Sequence, residues 1–415
     1  MNMKRILFIG IALVVLSSFA SSSWWDSNWS YRKEVTLDST VSGDLVGFPS
    51  KVLLDTESLI LDGKMDSACS DIRFTWLDKS SGIENPADYE IEKNTCNTKS
   101  TVVYIYTPVL YGGAYTYSTV IYMYYGNKEA KDTPNPKNVW SNGYSAVYHL
   151  SDQKDSLRHH DFTENNGAIP TVGVYGVNNT AYLLTPGKYL RREGAIGNIG
   201  ASDMSIFAIL KPDLPGPGIY SSIRYFIKKT GVNVLISFSN EASAEFGQGI
   251  KAGVAYERNG IEGSYQGIDW KPYTWTAYGY TNRYGKGFTG FINSTKIGVF
   301  EYSAPGKSAG VDGLWTGYDK IDYGFQGTAD EIRISNVSRT DQWMKAEYSQ
   351  TFKLGAEETM PTTTIKTATT QDTKTANLPY QPNESSFSFS EVFTLLFLVI
   401  AGIVIFSLIL TRKRK

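Results

Sequence analysis

Asp88, Glu90 and Glu92 alternate along the chain, so an extended strand would carry all three acids on one face. Two carboxylates flanking a glycosidic bond are what glycoside hydrolysis requires, one as acid and the other as nucleophile or base. Lys79 and Lys93 stand near them in sequence, which makes a solvated strand face the plainer reading. The three histidines, His149, His159 and His160, do not form a catalytic zinc site. His159 and His160 are adjacent and would point to opposite faces of a strand, and no His-Glu-x-x-His spacing occurs. His149 reads as a residue packed at the end of its strand. Asp152, Asp155 and Asp161 crowd the loop after Leu150, and with Asp330 they offer the hard oxygen ligands that Ca²⁺ takes roughly six to eight at a time. Lys154 and Arg158 interrupt that loop and oppose a divalent cation. Ca²⁺ is the one cofactor these residues suggest.

Two glycine-rich stretches imitate other chemistries. Gly285-Lys286-Gly287-Phe288-Thr289-Gly290 has the spacing of a dinucleotide fingerprint, yet Phe291-Ile292 continues as a strand where a phosphate-binding helix is needed. It reads as a hairpin turn. Gly306-Lys307-Ser308-Ala309-Gly310 has the spacing of a nucleophile elbow but no helix after it, and reads as a surface loop. Trp270, Trp275, Trp315, Tyr318 and Tyr323 fall near expected loops, where ring faces could stack on sugars; a core position is the alternative for each.

The elements that must position these residues are strands. Aromatic residues make up 13% of the chain and there are 38 Gly, a mixture that favours strands and turns over helices. Apolar side chains recur two apart at Val35 and Leu37, at Val52 and Leu54, and at Ile72, Phe74 and Trp76. β-Branched and aromatic runs of strand length follow at 101–106, 119–125, 205–210, 232–238, 251–256, 273–280, 288–292 and 331–334. The one soluble helix expected lies near 340–348. The fold class is therefore all-β, built as sandwiches. If 71–77 pairs with 88–94 through a turn near Ser81 and Gly82, Cys69 comes opposite Cys96, and a disulfide there would stabilise the fold by roughly 3 to 4 kcal/mol. Free thiols or an intermolecular link are the alternatives.

The ends set the compartment. Lys4 and Arg5 precede an apolar run and small residues before a cut after Ala20, so residues 1–20 read as a signal peptide. Residues 392–410 are 19 in a row without a charge, about 28 Å as a helix and close to the ~30 Å hydrocarbon core. Arg412, Lys413, Arg414 and Lys415 follow and mark the cytoplasmic side. A transmembrane helix over 389–411 with a basic tail at 412–415 makes this a single-pass cell-membrane protein with its N-terminal bulk extracellular. Residues 357–388, rich in Thr and Pro, read as a stalk. Without the two cations of the leader and the four of the tail, 34 Lys and Arg face 41 Asp and Glu, a surplus of seven negative charges. Nucleic acid is excluded as a partner on that balance. Glycosylation sequons begin at Asn28, Asn178, Asn293, Asn336 and Asn383.

The residues Trp24, Trp25, Asp26, Trp29, Tyr31, Arg32 and Lys33, then Asp71-Ile72-Arg73-Phe74, Tyr89-Glu90-Ile91-Glu92 and Tyr124-Tyr125-Gly126-Asn127, resemble a family of uncharacterised extracellular β-domains of archaeal and bacterial surface proteins. From Trp140 onward, Ala146-Val147-Tyr148-His149-Leu150, Asp155-Ser156, Asn165-Asn166-Gly167, Met204-Ser205-Ile206, Phe291-Ile292-Asn293 and Gly327 with Asp330-Glu331-Ile332-Arg333-Ile334-Ser335 are similar to a laminin-G-like, concanavalin A-type jelly roll. The resemblance runs from Trp24 to about Ala356. It implies a β-sandwich over 24–139, a jelly roll over 140–356, frequent Ca²⁺ in the second, and glycans or surface proteins as partners. The function expected is non-catalytic binding in adhesion or envelope organisation. An extracellular glycan hydrolase and a purely structural envelope component are the alternatives, since one fold hosts many functions.

Overall fold

The computed structural model describes residues 24–37, 41–113, 119–185, 187–193, 196, 203–214, 220–227, 232–239, 251–258, 261–263, 268–269, 271–284, 286–301, 313–315, 325–352 and 366–367. The expected signal peptide, membrane helix and basic tail lie outside these residues, as do Asn383, the 306–310 loop and all of the stalk except 366–367. Among the described residues no helix is long and apolar enough to cross a membrane.

The regular structure described is mostly strand, and every strand pair is antiparallel. The first sandwich comprises β1 (Tyr31–Leu37), β2 (Leu45–Leu54), β3 (Ile72–Asp78), β4 (Ile83–Ala87), β5 (Tyr89–Ile91), β6 (Thr101–Leu110) and β7 (Thr119–Tyr125). One sheet runs β1-β7-β3-β4, with the two-residue strand Lys366–Thr367 added on the free edge of β1, and the other runs β2-β6-β5. Period-two alternation puts Val35, Ile72, Phe74, Ile121 and Met123 of the first sheet against Phe48, Val52, Val103 and Ile105 of the second. Two short helices, α1 (Thr56–Leu61) and α2 (Pro136–Val139), edge this sandwich.

The remaining strands are β8 (Tyr144–Tyr148), β9 (Glu164–Asn166), β10 (Ile169–Thr171), β11 (Ala181–Leu184), β12 (Tyr189–Glu193), β13 (Met204–Pro212), β14 (Tyr220–Ile227), β15 (Val232–Ser239), β16 (Lys251–Arg258), β17 (Ile261–Gly263), β18 (Ile268–Asp269), β19 (Thr276–Arg283), β20 (Gly287–Ile292), β21 (Thr295–Glu301), β22 (Gly313–Trp315) and β23 (Gly327–Ser335). They form two eight-stranded sheets. One is ordered β10-β11-β23-β13-β19-β20-β21 with β8 also on β23, the other β17-β16-β15-β14-β22-β12-β9 with β18 on β16. Tyr148, Leu184, Leu190, Ile206, Tyr278, Phe288 and Ile332 close the core of this second sandwich. β19 and β20 pair as a hairpin from Arg283 opposite Gly287, so that Gly287 and Gly290 lie in strand β20, while Gly285 is outside the described residues.

Trp25 to Asp372 is one compact unit. The core of the first sandwich continues into Val147, Leu157, Trp343 and Ala346 of the second half. Helix α3 (Asp341–Phe352), which follows β23, packs on β2, with the Trp343 and Phe48 rings 4.8 Å apart. β6 and β23 are buried on both faces over much of their length, the burial expected of strands with a sheet on either side.

Cys69 and Cys96 are bonded, with S–S 2.07 Å. The strand pairing expected to bring them together does not occur. β3 pairs with β4, Phe74 opposite Ala87, while β5 pairs with β6 in the other sheet. The chain changes sheets at Asp88, so the disulfide ties one sheet of the sandwich to the other. Asn28, Asn178 and Asn336 are exposed. Asn293 sits half-buried with φ 54° and accepts the Ala277 N–H on Oδ1 at 3.1 Å.

Candidate functional site

Where β6 lies against β23, side chains that alternation would send to solvent meet across the junction. Ala329, Ile332 and Ile334 of β23 point into the second core. A bulge, with Ile209 opposite Glu331 and Leu210 opposite Ala329, leaves Asp330 unpaired and sets Glu331 and Arg333 on the outward face. That face is covered by Lys51 of β2, Tyr104 of β6, and Glu90 and Glu92 at β5. Lys51, Glu92, Tyr104, Asp330, Glu331, Arg333 and Glu347 are each at most 3% exposed.

Buried charges call for pairing and hydrogen bonds, and most of these have them, although among the described residues Arg333 Nη2 has no hydrogen-bond partner and Lys51 Nζ meets only hydroxyls. His149 bridges the two halves, its Nδ1 2.9 Å from Glu331 Oε1 and its Nε2 3.2 Å from Glu90 Oε2. Its ring stacks on Tyr104 at 4.6 Å. The Tyr104 hydroxyl donates to Glu331, and Trp140 Nε1 donates to Glu90 Oε2 at 2.5 Å. Arg333 Nε donates to Glu331 Oε2 at 3.1 Å, and its Nη1 donates to Glu347. Its guanidinium lies 4.9 Å from the Trp140 ring centre and 5.1 Å from that of Tyr104. Tyr144 donates to Glu347 at 2.7 Å. Lys51 Nζ donates to Tyr175 at 2.8 Å, and Ser151 donates to Glu92 at 2.6 Å.

The electrostatics follow from this geometry. Burial alone would lift the Glu331 carboxyl, but Arg333, His149 and Lys51 hold it well below the usual carboxylate range. Burial would likewise strip the proton from His149, yet Glu331 and Glu90 keep its pKa well above the ordinary imidazole value. Glu92 lacks such compensation, and burial, with Glu331 nearby, pushes it up to about 7 against His149 and Lys51. Burial beside Glu92 and Glu331 raises Asp330 well above its usual range. Glu92, His149 and Glu331 also bring ligand atoms within 4.8 Å of one another, the one such metal-type group among the described residues. His149 already serves two carboxylates there, and Arg333 and Lys51 supply the positive charge.

The acids at 88, 90 and 92 therefore form no solvated face. Asp88 accepts from Asn135 and Asn138, and Glu90 and Glu92 are spent in the junction. The aspartates proposed for Ca²⁺ are only partly brought together. Asp155 is fully buried and accepts the backbone N–H of Val147 and Leu157 on Oδ1 and of His159 and His160 on Oδ2. Asp161 accepts from Asp155 N and from Lys154 Nζ, while Asp152 pairs with Lys93 at 3.0 Å. Asp330 stands apart in the junction and accepts the Val174 N–H at 2.6 Å. Of the expected sugar-stacking rings, Trp270, Tyr318 and Tyr323 lie outside the described residues, and Trp315 is placed in β22. Trp275 is half-buried against the Phe207 and Met344 cluster, with Lys211 Nζ 5.1 Å from its ring centre.

An open cleft of about 490 Å³ sits at the edge of the junction. Lys137, Ser141, Tyr144, Ser145, His159 and His160 line it, with Leu157 and Ile196 as apolar wall. Asp155 shapes it from below, since its four N–H contacts fix the loop that presents both histidines. No residue in this lining was marked out as ligand-binding by type and spacing. Lys137, Ser141 and Ser145 carry no motif, and they meet His159 only because α2, β8 and the aspartate loop converge.

No curated protein matches the sequence. Similar solved structures include domain 4 of AbnA, a GH43 extracellular arabinanase from Geobacillus stearothermophilus, in complex with arabinotriose (15% identity, TM-score 0.38, 52% of this chain and 98% of that one). The receptor binding domain of botulinum neurotoxin C/D mosaic serotype is similar at 9% identity and TM-score 0.38, over 50% of this chain and 51% of that one. A heptameric SAP-like pentraxin from Limulus polyphemus is similar at 13% identity and TM-score 0.31, over 40% and 80%. The chain thus spans about half the length of the neurotoxin structure it matches. Residues 68–164, from the disulfide through the His149 junction to the start of β9, match the model of a domain of unknown function (DUF2341).

Proposed function

We propose that this chain is a non-catalytic, membrane-anchored surface protein that binds carbohydrate in the cleft beside the sandwich junction. The observation that carries the reading is the lining of that cleft. Its volume falls within the roughly 300 to 1,000 Å³ usual for small-ligand sites. Hydroxyl, ammonium and imidazole groups from Ser141, Ser145, Lys137, His159 and His160 ring an apolar wall of Leu157 and Ile196. A sugar presents the same combination, hydroxyl edges around apolar C–H faces. The acids that could have hydrolysed a glycoside support the non-catalytic reading, because Glu90 and Glu92 are committed to His149, Trp140 and Ser151. The surface assignment rests on residues 1–20 and 389–415.

Binding of the full-length chain to a glycan array tests this. Ser141 is exposed, so Ser141→Trp fills the cleft without touching the core and is expected to weaken binding at least tenfold. Undiminished binding by that variant would place the ligand elsewhere. EDTA is expected to leave binding unchanged, since Asp152, Asp155 and Asp161 already spend their oxygens on lysines and backbone N–H groups.

A further inference from the structure

We infer that the cleft selects saccharides bearing a negative charge, a uronate, sialate or sulfate ester, over neutral ones; this rests on the carbohydrate reading above. Among the described residues, the charged or protonatable side chains lining the cleft are Lys137, His159 and His160, and no carboxylate lines it. The nearest acids are turned to other work. Asp155 is fully buried beneath the loop and faces backbone N–H groups, and Asp161 is held by Lys154 and the Asp155 N–H. Arg192 of β12 adds positive potential at His160, which also faces Asp155 and His159. An anion-attracting cleft contrasts with the net charge of the chain between leader and tail, which has seven surplus negative charges.

His160 Nδ1 is buried without a hydrogen-bond partner. A buried polar group in that condition is destabilising, and a site that completes its hydrogen bonding on ligand binding recovers part of this. Burial, and then Arg192, hold His160 below the ordinary imidazole value, so its proton is gained as pH falls and favours an anion at the same time. Lys137 and His159 are exposed and belong to α2 and the aspartate loop respectively, lining the cleft with Ser141 and Ser145.

The test uses the full-length chain on an array carrying neutral, uronate-bearing, sialylated and sulfated glycans, with sodium sulfate as competitor. The bound set is expected to be acidic. Lys137→Gln with His159→Gln is expected to lose at least tenfold in affinity with an unchanged melting temperature. Affinity is expected to rise several-fold between pH 7.5 and 5.5. Binding to neutral glycans that the double variant leaves intact overturns the charge selectivity while the carbohydrate reading stands. Sulfate alone competing as well as the glycans bind reduces the cleft to a simple anion site and overturns it too. No glycan bound at any pH overturns both.

Discussion

The junction turns residues of ordinary surface type into a buried charge network. Removing one partner of such a network leaves the others uncompensated, at roughly 3 to 5 kcal/mol. Glu331→Gln, which keeps the shape but takes one charge from His149, Arg333 and Lys51, is expected to lower stability by that amount in urea unfolding. The pH dependence has a definite sign. Glu92 rises from 4.5 to about 7 on folding, so its folded form prefers the proton and stability falls as pH climbs from 4.5 towards 7, by on the order of 3 kcal/mol. His149 is raised as well; its contribution is full below about 6.5, the ordinary imidazole value, and is lost as pH rises through the folded one. Glu90 and Glu331 are held down by His149 and, for Glu331, Arg333, so they lose their contribution as acid protonates them. Thermal unfolding is expected to show a maximum near pH 4.5, with Glu92→Gln flattening the decline between there and about pH 7. A melting temperature that rises steadily from pH 5 to 8 would contradict this balance.

At the scale of elements, one turn explains a motif. Gly126, the third residue of Tyr-Tyr-Gly-Asn, has φ +80°, and a Cβ there would lie 2.6 Å from the Tyr31 ring and 3.1 Å from Lys64 O. Gly113 has φ +88° with nothing within 4 Å. Gly113→Ala should therefore cost the left-handed strain alone, about 1 to 2 kcal/mol, and Gly126→Ala visibly more because ring and backbone must also move. Melting temperatures of the two variants measure the difference. The bulge at Asp330 acts at the same scale. The run Asp330-Glu331-Ile332-Arg333-Ile334-Ser335 alternates in polarity, and its strand was legible; that both its faces are buried was not. The Val102-Val103-Tyr104-Ile105 run of β6 did hold the signal, because an unbroken apolar stretch marks a strand covered on two sides.

For the whole molecule, the two sandwiches share core and charges, which makes the first unfit to stand alone. Residues 24–139 expressed by themselves would expose the outward face of β6, with Val102 and Tyr104, and leave Lys51 and Glu90 without His149 and Glu331. No cooperative unfolding transition is expected from that fragment. A sharp transition would show the first sandwich to be autonomous and the junction merely docked.

Strand content and the helix after β23 could be read from residue type and spacing, because both are local; the Cys69–Cys96 bond was also expected, but from a strand pairing that the sheets do not make. Which polar residues face water could not. Glu90, Glu92 and Arg333 look the same in the chain whether their sheet ends the molecule or meets another, and His149 gives no hint of two carboxylates 59 and 182 positions away. The cleft is a tertiary product for the same reason: Lys137, Ser145 and His159 belong to three separate elements, and only the packing of one sandwich upon the other makes them neighbours.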